Sequence, residues 1–537
     1  MSSSDTEPRV LSTTTVDTRS LQHLAALVRT PESETIDVVA PATNESIGAV
    51  PNCSKASVGR AVERSRRAQK SWKQTSISER SAIINRFADL VLERQKWLLD
   101  LVQVETGKSR TDAVEELLDV PQTCSYYAES VTDELTPTVR RGALPPATTA
   151  KVVYEPVGVV GVISPWNYPL TLSVTDAVAA LIGGNTIVLK PDEKTPFIAL
   201  ALCELLTEAG LPDDVFQVVT GEGAVVGSKL IDTVDYITFT GSTETGRVVA
   251  ARAGENLIDC SLELGGKNPL IVLDDADIET AARGAVQACF TNAGQLCLST
   301  ERLYVDESVF DSFISEFIGA TRRLTLGTET TFDAEMGSLI NQKQLDRVES
   351  HVSDAVTHGA EVLTGGRRRT DIGPFCYEPT VLTNVTETMQ VATEETFGPV
   401  VSVYSVSGVT EAITKANDSM YGLNASVWSK NQDRAQTVAS QLDCGTVCIN
   451  DGYIAGWAAV DTPMGGVKHS GLGRRHGPEG LHRFMEPKTV ATSQVGPITA
   501  PAFLPNAWYI HGLIALTRIQ RRIQSLSKQM GSHRRLR

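Results

Sequence analysis

Cys297 ends the stretch Asn292-Ala293-Gly294-Gln295-Leu296-Cys297. A lone cysteine has two readings: a small buried hydrophobe, or a nucleophile whose thiolate attacks an electrophilic carbon. Two other stretches carry groups that would serve the nucleophile. Glu263, in "LELGGKNP", stands between leucines. That setting raises a carboxyl pKa and suits a general base; the alternative is a partly buried ion pair with Lys267. Asn167, in "SPWNYP", is held by prolines on both sides. A rigid side-chain amide donates to an oxyanion, although in isolation a turn asparagine is the better explanation.

A second group of stretches suits a nucleotide. In "FTGSTETG", a strand ends near Gly241 and a helix begins. Helix N-termini present N–H groups and a positive dipole end to phosphates, and Gly241 permits close backbone approach. A plain strand–helix turn is the alternative. Gly221, Gly223 and Gly227 follow another strand but are spaced one residue too long for G-x-G-x-x-G. Lys190-Pro191-Asp192-Glu193 ends a third strand. A lysine and a carboxylate there can hydrogen-bond a ribose, and the carboxylate repels a 2′-phosphate; without the neighbouring motifs a solvated charged loop would be the favoured reading. Glu395 and Phe397 in "EETFGPV" offer a carboxylate and an aromatic face beside a rigid turn; a surface acidic pair is the alternative.

These residues need elements to position them. Residues 55–135 read as helical, with a capping box at Ser76 and Glu79 before Ile83, Ile84, Phe87, Leu90 and Val91 on one face. From 157 to 242 short apolar strands alternate with helices, and a similar alternation follows Leu264 up to about residue 480. The pattern predicts parallel sheets with helices on both faces. Two α/β domains follow, with a ligand cleft at strand carboxyl ends.

Composition narrows the class. The chain has 537 residues, 41% hydrophobic and 21% charged, which is ordinary for a globular protein of more than one domain. Nine cysteines without a C-x-x-C argue for free thiols in a reducing compartment. No metal site is expected: His476 and His482 are the closest promising pair, and both read better as solvated surface residues than as ligands. The N-terminus is a polar leader without a signal-peptide core, and no apolar run is long enough to span a bilayer. A net charge of −15 argues against nucleic acid. The tail differs: Arg518, Arg521, Arg522, Lys528, Arg534, Arg535 and Arg537 fall there without an acid. Residues 503–529 read as a basic amphipathic helix, which suits either an anionic membrane surface or docking on protein.

Together "SPWNYP", "LKPDEKTP", "FTGSTETG", "LELGGKNP", "NAGQLC", "EETFGPV" and "PMGGVKHSGLGR" resemble the aldehyde dehydrogenase superfamily over about residues 35–495. The resemblance implies an α/β fold of two Rossmann-like domains with a β-arm for oligomerisation. The implied layout is a flexible leader at 1–34, an NAD(P)-binding domain at 35–138 and 158–264, and a catalytic domain at 265–483. The arm falls at 139–157 and 484–496. The implied activity is NAD(P)-dependent oxidation of an aldehyde to its acid, in the cytoplasm, by a homodimer or homotetramer. By position, Cys297 matches the nucleophile, Glu263 the base and Asn167 the oxyanion amide. Ser164, Pro165, Trp166, Lys190, Glu193, Gly223, Thr240, Gly241, Ser242, Gly246, Leu264, Glu395 and Phe397 match cofactor contacts. Glu263 implies a free acid product, since coenzyme-A-acylating relatives lack it.

Residues 450–484 resemble an actinobacterial-type branch named succinate-semialdehyde dehydrogenase. Better-understood enzymes of that name hold the substrate carboxylate with two arginines, where this chain has Thr175 and Thr291. Leu296 and Leu298 would also suit an apolar aldehyde. Succinate semialdehyde is the expected substrate, and a medium- or long-chain aldehyde, taken by a membrane-docked enzyme, is the alternative. NAD is the expected cofactor, with NADP possible through Lys190 and Lys194. A non-catalytic cofactor-binding protein on the same fold is the rival of another class, and the joint presence of Cys297, Glu263 and Asn167 speaks against it.

Overall fold

The computed structural model describes residues 16–144 and 147–532, with side chains as far as Arg522. After a short helix and the antiparallel pair Thr35–Ala40 and Glu45–Pro51, four helices follow: Lys55–Trp72, Ile77–Glu93, Gln95–Thr106 and Arg110–Leu135. The second starts with the reciprocal cap its sequence requires. Ser76 N donates to Glu79 Oε2 at 3.0 Å, and Glu79 N donates to Ser76 Oγ at 3.2 Å. Ile84, Phe87, Leu90 and Val91 are then buried on one face.

Part of the leader expected to be flexible is instead folded. Thr18–Ala25 is a helix capped by Asp17, whose carboxylate accepts from Ser20 N at 2.7 Å. Leu21 and Leu24 share one face and are buried. Their removal from water outweighs the polarity of their neighbours. Residues 1–15 of the leader lie outside the described residues.

Two sheets form the centre. The first runs in the order Gly471–Leu472, Asp259–Glu263, Tyr236–Thr240, Val159–Ile163, Thr186–Lys190, Phe216–Val218. All its pairings are parallel except that of Gly471–Leu472. Its interior strand Thr186–Lys190 is buried throughout, as a parallel strand covered on both faces must be. Helices Pro169–Ile182 and Pro196–Glu208 each begin with proline, at the position where no backbone donor is needed. The second sheet runs Glu361–Thr364, Thr380–Thr383, Val400–Val406, Thr300–Asp306, Asn268–Val272, Asn424–Trp428, Thr446–Ile449. Only Glu361–Thr364 is antiparallel there. Both sheets lie in one compact unit, because Gly471–Leu472 returns from the second region to pair with Asp259–Glu263.

A separate unit comprises Thr136–Tyr154 and the chain from Pro487 onward. It holds a three-stranded sheet in the order Met485–Ser493, Thr148–Pro156, Thr138–Arg141, and the helix Asn506–Ser532. Among the described residues no helix is long and apolar enough to cross a membrane. All nine cysteines are free.

Candidate active site

The parallel strands of the first sheet end at one edge, and the loops that follow them open a cavity of about 550 Å³. Pro165, Trp166, Asn167, Thr240, Gly241 and Ser242 reach it from those loops. Glu263 and Leu264 reach it from the last parallel strand, and Cys297, Glu395 and Phe397 from the second region. Eleven of the residues matched to catalytic or cofactor positions therefore line a single cavity, with Lys194 beside them.

The loop before Cys297 is held in an uncommon backbone conformation. Asn292 and Ala293 both have φ of 53° and Gly294 has φ of 70°. Left-handed non-glycine residues cost roughly 1–2 kcal/mol each, so surrounding bonds must fix them. Asn292 N donates to Asp112 Oδ2 at 3.0 Å, and Asn292 Nδ2 donates to Asn167 O at 3.1 Å. Gln295 Nε2 donates back to Asn292 O at 3.1 Å, while Gln295 Oε1 accepts from Ile340 N at 2.9 Å. A side chain at Gly294 would collide with the backbone of Gly398. Cys297 emerges half-buried. Burial and the nearby Glu395 carboxylate push its thiol up to about 12, with Arg475 opposing them.

Asn167 is locked in place. Its carbonyl accepts from Lys108 Nζ at 2.7 Å, and its Nδ2 donates to Gln295 O at 2.9 Å. A side-chain amide has two N–H groups, so one remains for a ligand. Glu263 is buried with neither carboxylate oxygen hydrogen-bonded. Burial pushes it up to about 7, against the pull of Arg475. The alternative pairing with Lys267 does not occur: Lys267 pairs with the buried Glu301. Glu301 also accepts from Thr396 N at 2.9 Å and Phe397 N at 3.0 Å, which fixes the turn carrying Glu395 and Phe397. Glu395 Oε1 accepts from Gly266 N at 2.9 Å, and burial raises its carboxyl to about 7. Phe397 meets Trp166 edge to face, with ring centres 5.5 Å apart.

Helix Thr243–Glu255 points its N-terminus into the cavity. Ser242 caps it by accepting from Thr245 N at 3.3 Å, and Thr243 and Glu244 line the wall. The first-turn N–H groups of such a helix suit a pyrophosphate. Gly246 lies one turn into this helix and is not among the residues lining the cavity. It leaves room for the Leu264 side chain, which a Cβ would strike. Ser164 also stands back from the cavity, buried and bonded to Ser173 Oγ at 2.9 Å. Glu193 lines an adjoining cavity of about 540 Å³, which shares Lys194, Ile340, Asn341 and Lys343 with the first. Lys190 is buried, 3.0 Å from Glu193 Oε1. A Cβ on Gly223 would lie 3.8 Å from that same oxygen, and Gly223–Gly227 forms a π-helical turn in place of a dinucleotide turn.

Sequence reading missed Lys343, Gln344 and Arg347, which line the cavity from helix Gln342–Thr357. The one available signal was Asn341, whose side chain caps that helix. His476 is a correction. It is buried, not solvated, and both ring nitrogens lack a hydrogen-bond partner. Burial and then Arg475 lower it to about 3, so it is neutral. Its φ of 60° and the Trp457 ring, 5.8 Å away, turn it inward.

The chain belongs to the aldehyde dehydrogenase family, whose model matches residues 28–490. It is thus an NAD(P)-dependent oxidoreductase acting on small-molecule aldehydes. It is 47% identical over 500 residues to a Mycobacterium tuberculosis protein provisionally named succinate-semialdehyde dehydrogenase (NADP(+)) 2, covering 93% of this chain and 96% of that one. It is 37% identical over 465 residues to glutarate-semialdehyde dehydrogenase of Pseudomonas aeruginosa, covering 86% and 95%. Its fold matches the crystal structure of betaine aldehyde dehydrogenase from Staphylococcus aureus in complex with NAD+, with a TM-score of 0.84 and 35% identity over 90% and 97% of the two chains.

Proposed function

We propose that Cys297 is the nucleophile, Glu263 the general base and Asn167 an oxyanion donor in the oxidation of an aldehyde to a free acid. The observation carrying this reading is Glu263: a buried carboxyl, unbonded at both oxygens, on the same cavity as Cys297. Cys297 Sγ bonds to the aldehyde carbon as its thiol proton passes to solvent water, and the carbonyl π electrons move onto oxygen. The spare Asn167 N–H and the Cys297 backbone N–H stabilise the oxyanion; one such donor contributes about 3–4 kcal/mol. A bound NAD(P)+ supplies the hydride acceptor. The resulting thioester on Cys297 is hydrolysed by a water whose proton Glu263 takes.

The helix start at Ser242 would hold the pyrophosphate, Glu395 and Phe397 the nicotinamide ribose, and Lys190 and Glu193 the adenosine ribose. Glu193 favours NAD, but Lys190 at 3.0 Å offsets its charge, and Lys194 and Lys343 stand on the same cavity. The enzyme therefore uses NAD and also accepts NADP.

The substrate proposed is succinate semialdehyde. The names of the Mycobacterium and Pseudomonas relatives support an aldehyde bearing a terminal carboxylate. A second reading, an apolar aldehyde, is favoured by the cluster beside Cys297, which includes Leu172, Leu296, Leu298 and Leu423. Thr175 and Thr291 are buried where arginines would be sought. Comparing kcat/KM for succinate semialdehyde and hexanal, each with NAD and NADP, decides the matter. A preference of about tenfold or more for succinate semialdehyde is expected, a difference of roughly 1.4 kcal/mol. A preference for hexanal overturns it.

The exposed edge strand Met485–Ser493 suits pairing with a second copy in a homodimer or homotetramer. The tail suits peripheral contact with an anionic lipid surface. Phe503 is 87% exposed and Trp508 72%, with Ile510, Ile514 and Ile519 also exposed beside Arg518, Arg521 and Arg522. Basic helices with apolar exposure bind such surfaces. The full chain is expected to float with phosphatidylglycerol vesicles at low salt and to be released by salt. A chain left unbound ends this reading.

A further inference from the structure

Glu263 shares its face of the first sheet with three other polar side chains. Strands Tyr236–Thr240 and Asp259–Glu263 pair with Thr238 opposite Ser261 and Thr240 opposite Glu263. Alternate residues of a strand point to the same side, so these four form one polar patch. Three of them are engaged. Thr238 Oγ1 donates to Asp176 Oδ2 at 2.9 Å, Arg475 Nη2 donates to Thr240 Oγ1 at 3.0 Å, and Arg483 Nη1 donates to Ser261 Oγ at 2.9 Å. Glu263 alone is left without a bond.

The groups that cover the patch form a buried charge array. Asp176, on helix Pro169–Ile182, accepts from Arg475 Nη2 at 3.0 Å and from Arg483 Nη2 at 2.6 Å. All three side chains are buried. Two guanidinium groups and one carboxylate leave a net charge of one positive unit beside Glu263. We propose that Asp176, Arg475 and Arg483 act as positioning residues that set the pH at which Glu263 works as a base, Asp176 cancelling one of the two positive charges. This rests on the assignment of Glu263 as the base.

Buried charges interact more strongly than exposed ones because water screens them less. Among the charges that act on Glu263, Arg475 has the largest influence, drawing the carboxyl down. Asp176 pushes it up, and Arg483 and Arg474 draw it down. From across the cavity Cys297 faces Glu263, with Glu395 beside that thiol. Asp119, on helix Arg110–Leu135, faces the array from behind, and Tyr127 and Tyr236 adjoin Arg483. Burial alone would raise Asp176, but Arg475 and Arg483 hold it well below the usual carboxylate range. It therefore stays charged wherever the enzyme works.

The signs are opposite for the two kinds of variant. R475M leaves the array neutral and moves the acid limb of thioester hydrolysis up by about one pH unit or more. D176N leaves two positive charges and moves it down. R475K keeps the charge and keeps the limb in place, whatever it does to the rate. A purely structural role moves no limb in any of them. The measurement is the pH dependence of the hydrolysis rate constant after the NAD(P)H burst, with folding checked by thermal unfolding. Should D176N fail to fold, R475M against R475K decides alone: equal limbs overturn the proposal. Infrared difference titration of each variant against its own E263Q partner reads the Glu263 carboxyl directly. A limb that persists in E263Q refutes the base assignment, while the infrared titration still shows whether the array tunes Glu263.

Discussion

C297A is expected to lose aldehyde oxidation by about 10⁴-fold or more while still binding NAD(P)H. Removing a catalytic nucleophile typically costs that much or more. Several features make the experiment clean. The loop conformation is fixed by Asn292 and Gln295, not by the thiol, so alanine leaves the left-handed residues where they are. The Cys297 backbone N–H and the Asn167 amide also remain. No other cysteine is placed to substitute. Cys289 is fully buried on helix Ile278–Phe290, and neither it nor any of the others lines the cavity. Turnover is read as NAD(P)H absorbance, and binding as NAD(P)H fluorescence. If C297A retains more than about a hundredth of wild-type turnover, the nucleophile lies elsewhere, because general-base catalysis alone supplies only about 10²–10⁴.

What the sequence made legible was local. The Ser76–Glu79 cap, the apolar strands and the turns carrying Asn167, Gly241 and Cys297 each follow from neighbours within a few residues. Partners distant in sequence were not legible. Arg475 and Asp176 are 299 positions apart, and each looks like an isolated charge until the fold joins them. Lys267 lies four residues from Glu263, and that proximity suggested a pair. The strand end turns it instead toward Glu301, 34 positions away. His476 read as solvated because histidine is usually at least partly exposed, yet its backbone follows Arg475, which is bridged to Met464 by two bonds of 2.8 Å. Gly246 fitted a phosphate turn by motif. Its close neighbour Leu264, against which a Cβ would collide, is 18 residues on and invisible to any local pattern.

E263Q is expected to give one equivalent of NAD(P)H per site and then to stall. Hydride loss precedes hydrolysis, so removing the base spares the first step and slows the second, by about 10²–10⁴-fold. Glutamine has the same shape as glutamate. The contact that constrains it is with Gly465, whose Cβ, if it had one, would come within 2.8 Å of Glu263 Oε1. An isosteric glutamine fits the same space against that glycine. The pH dependence follows from the same burial. A carboxyl raised to about 7 holds its proton through the mildly acidic range, and only its ionised form accepts one from water. Wild-type hydrolysis therefore falls below about pH 7, roughly tenfold per unit, where an ordinary carboxylate would sustain it to near pH 4. In E263Q that dependence disappears with the group that caused it, and the acyl–enzyme accumulates as a mass increase on the peptide containing Cys297. Rapid steady turnover in E263Q, with no acyl–enzyme detected, would show that water is activated by another group. Glu395, also raised to about 7 and also on this cavity, is the next carboxyl to replace.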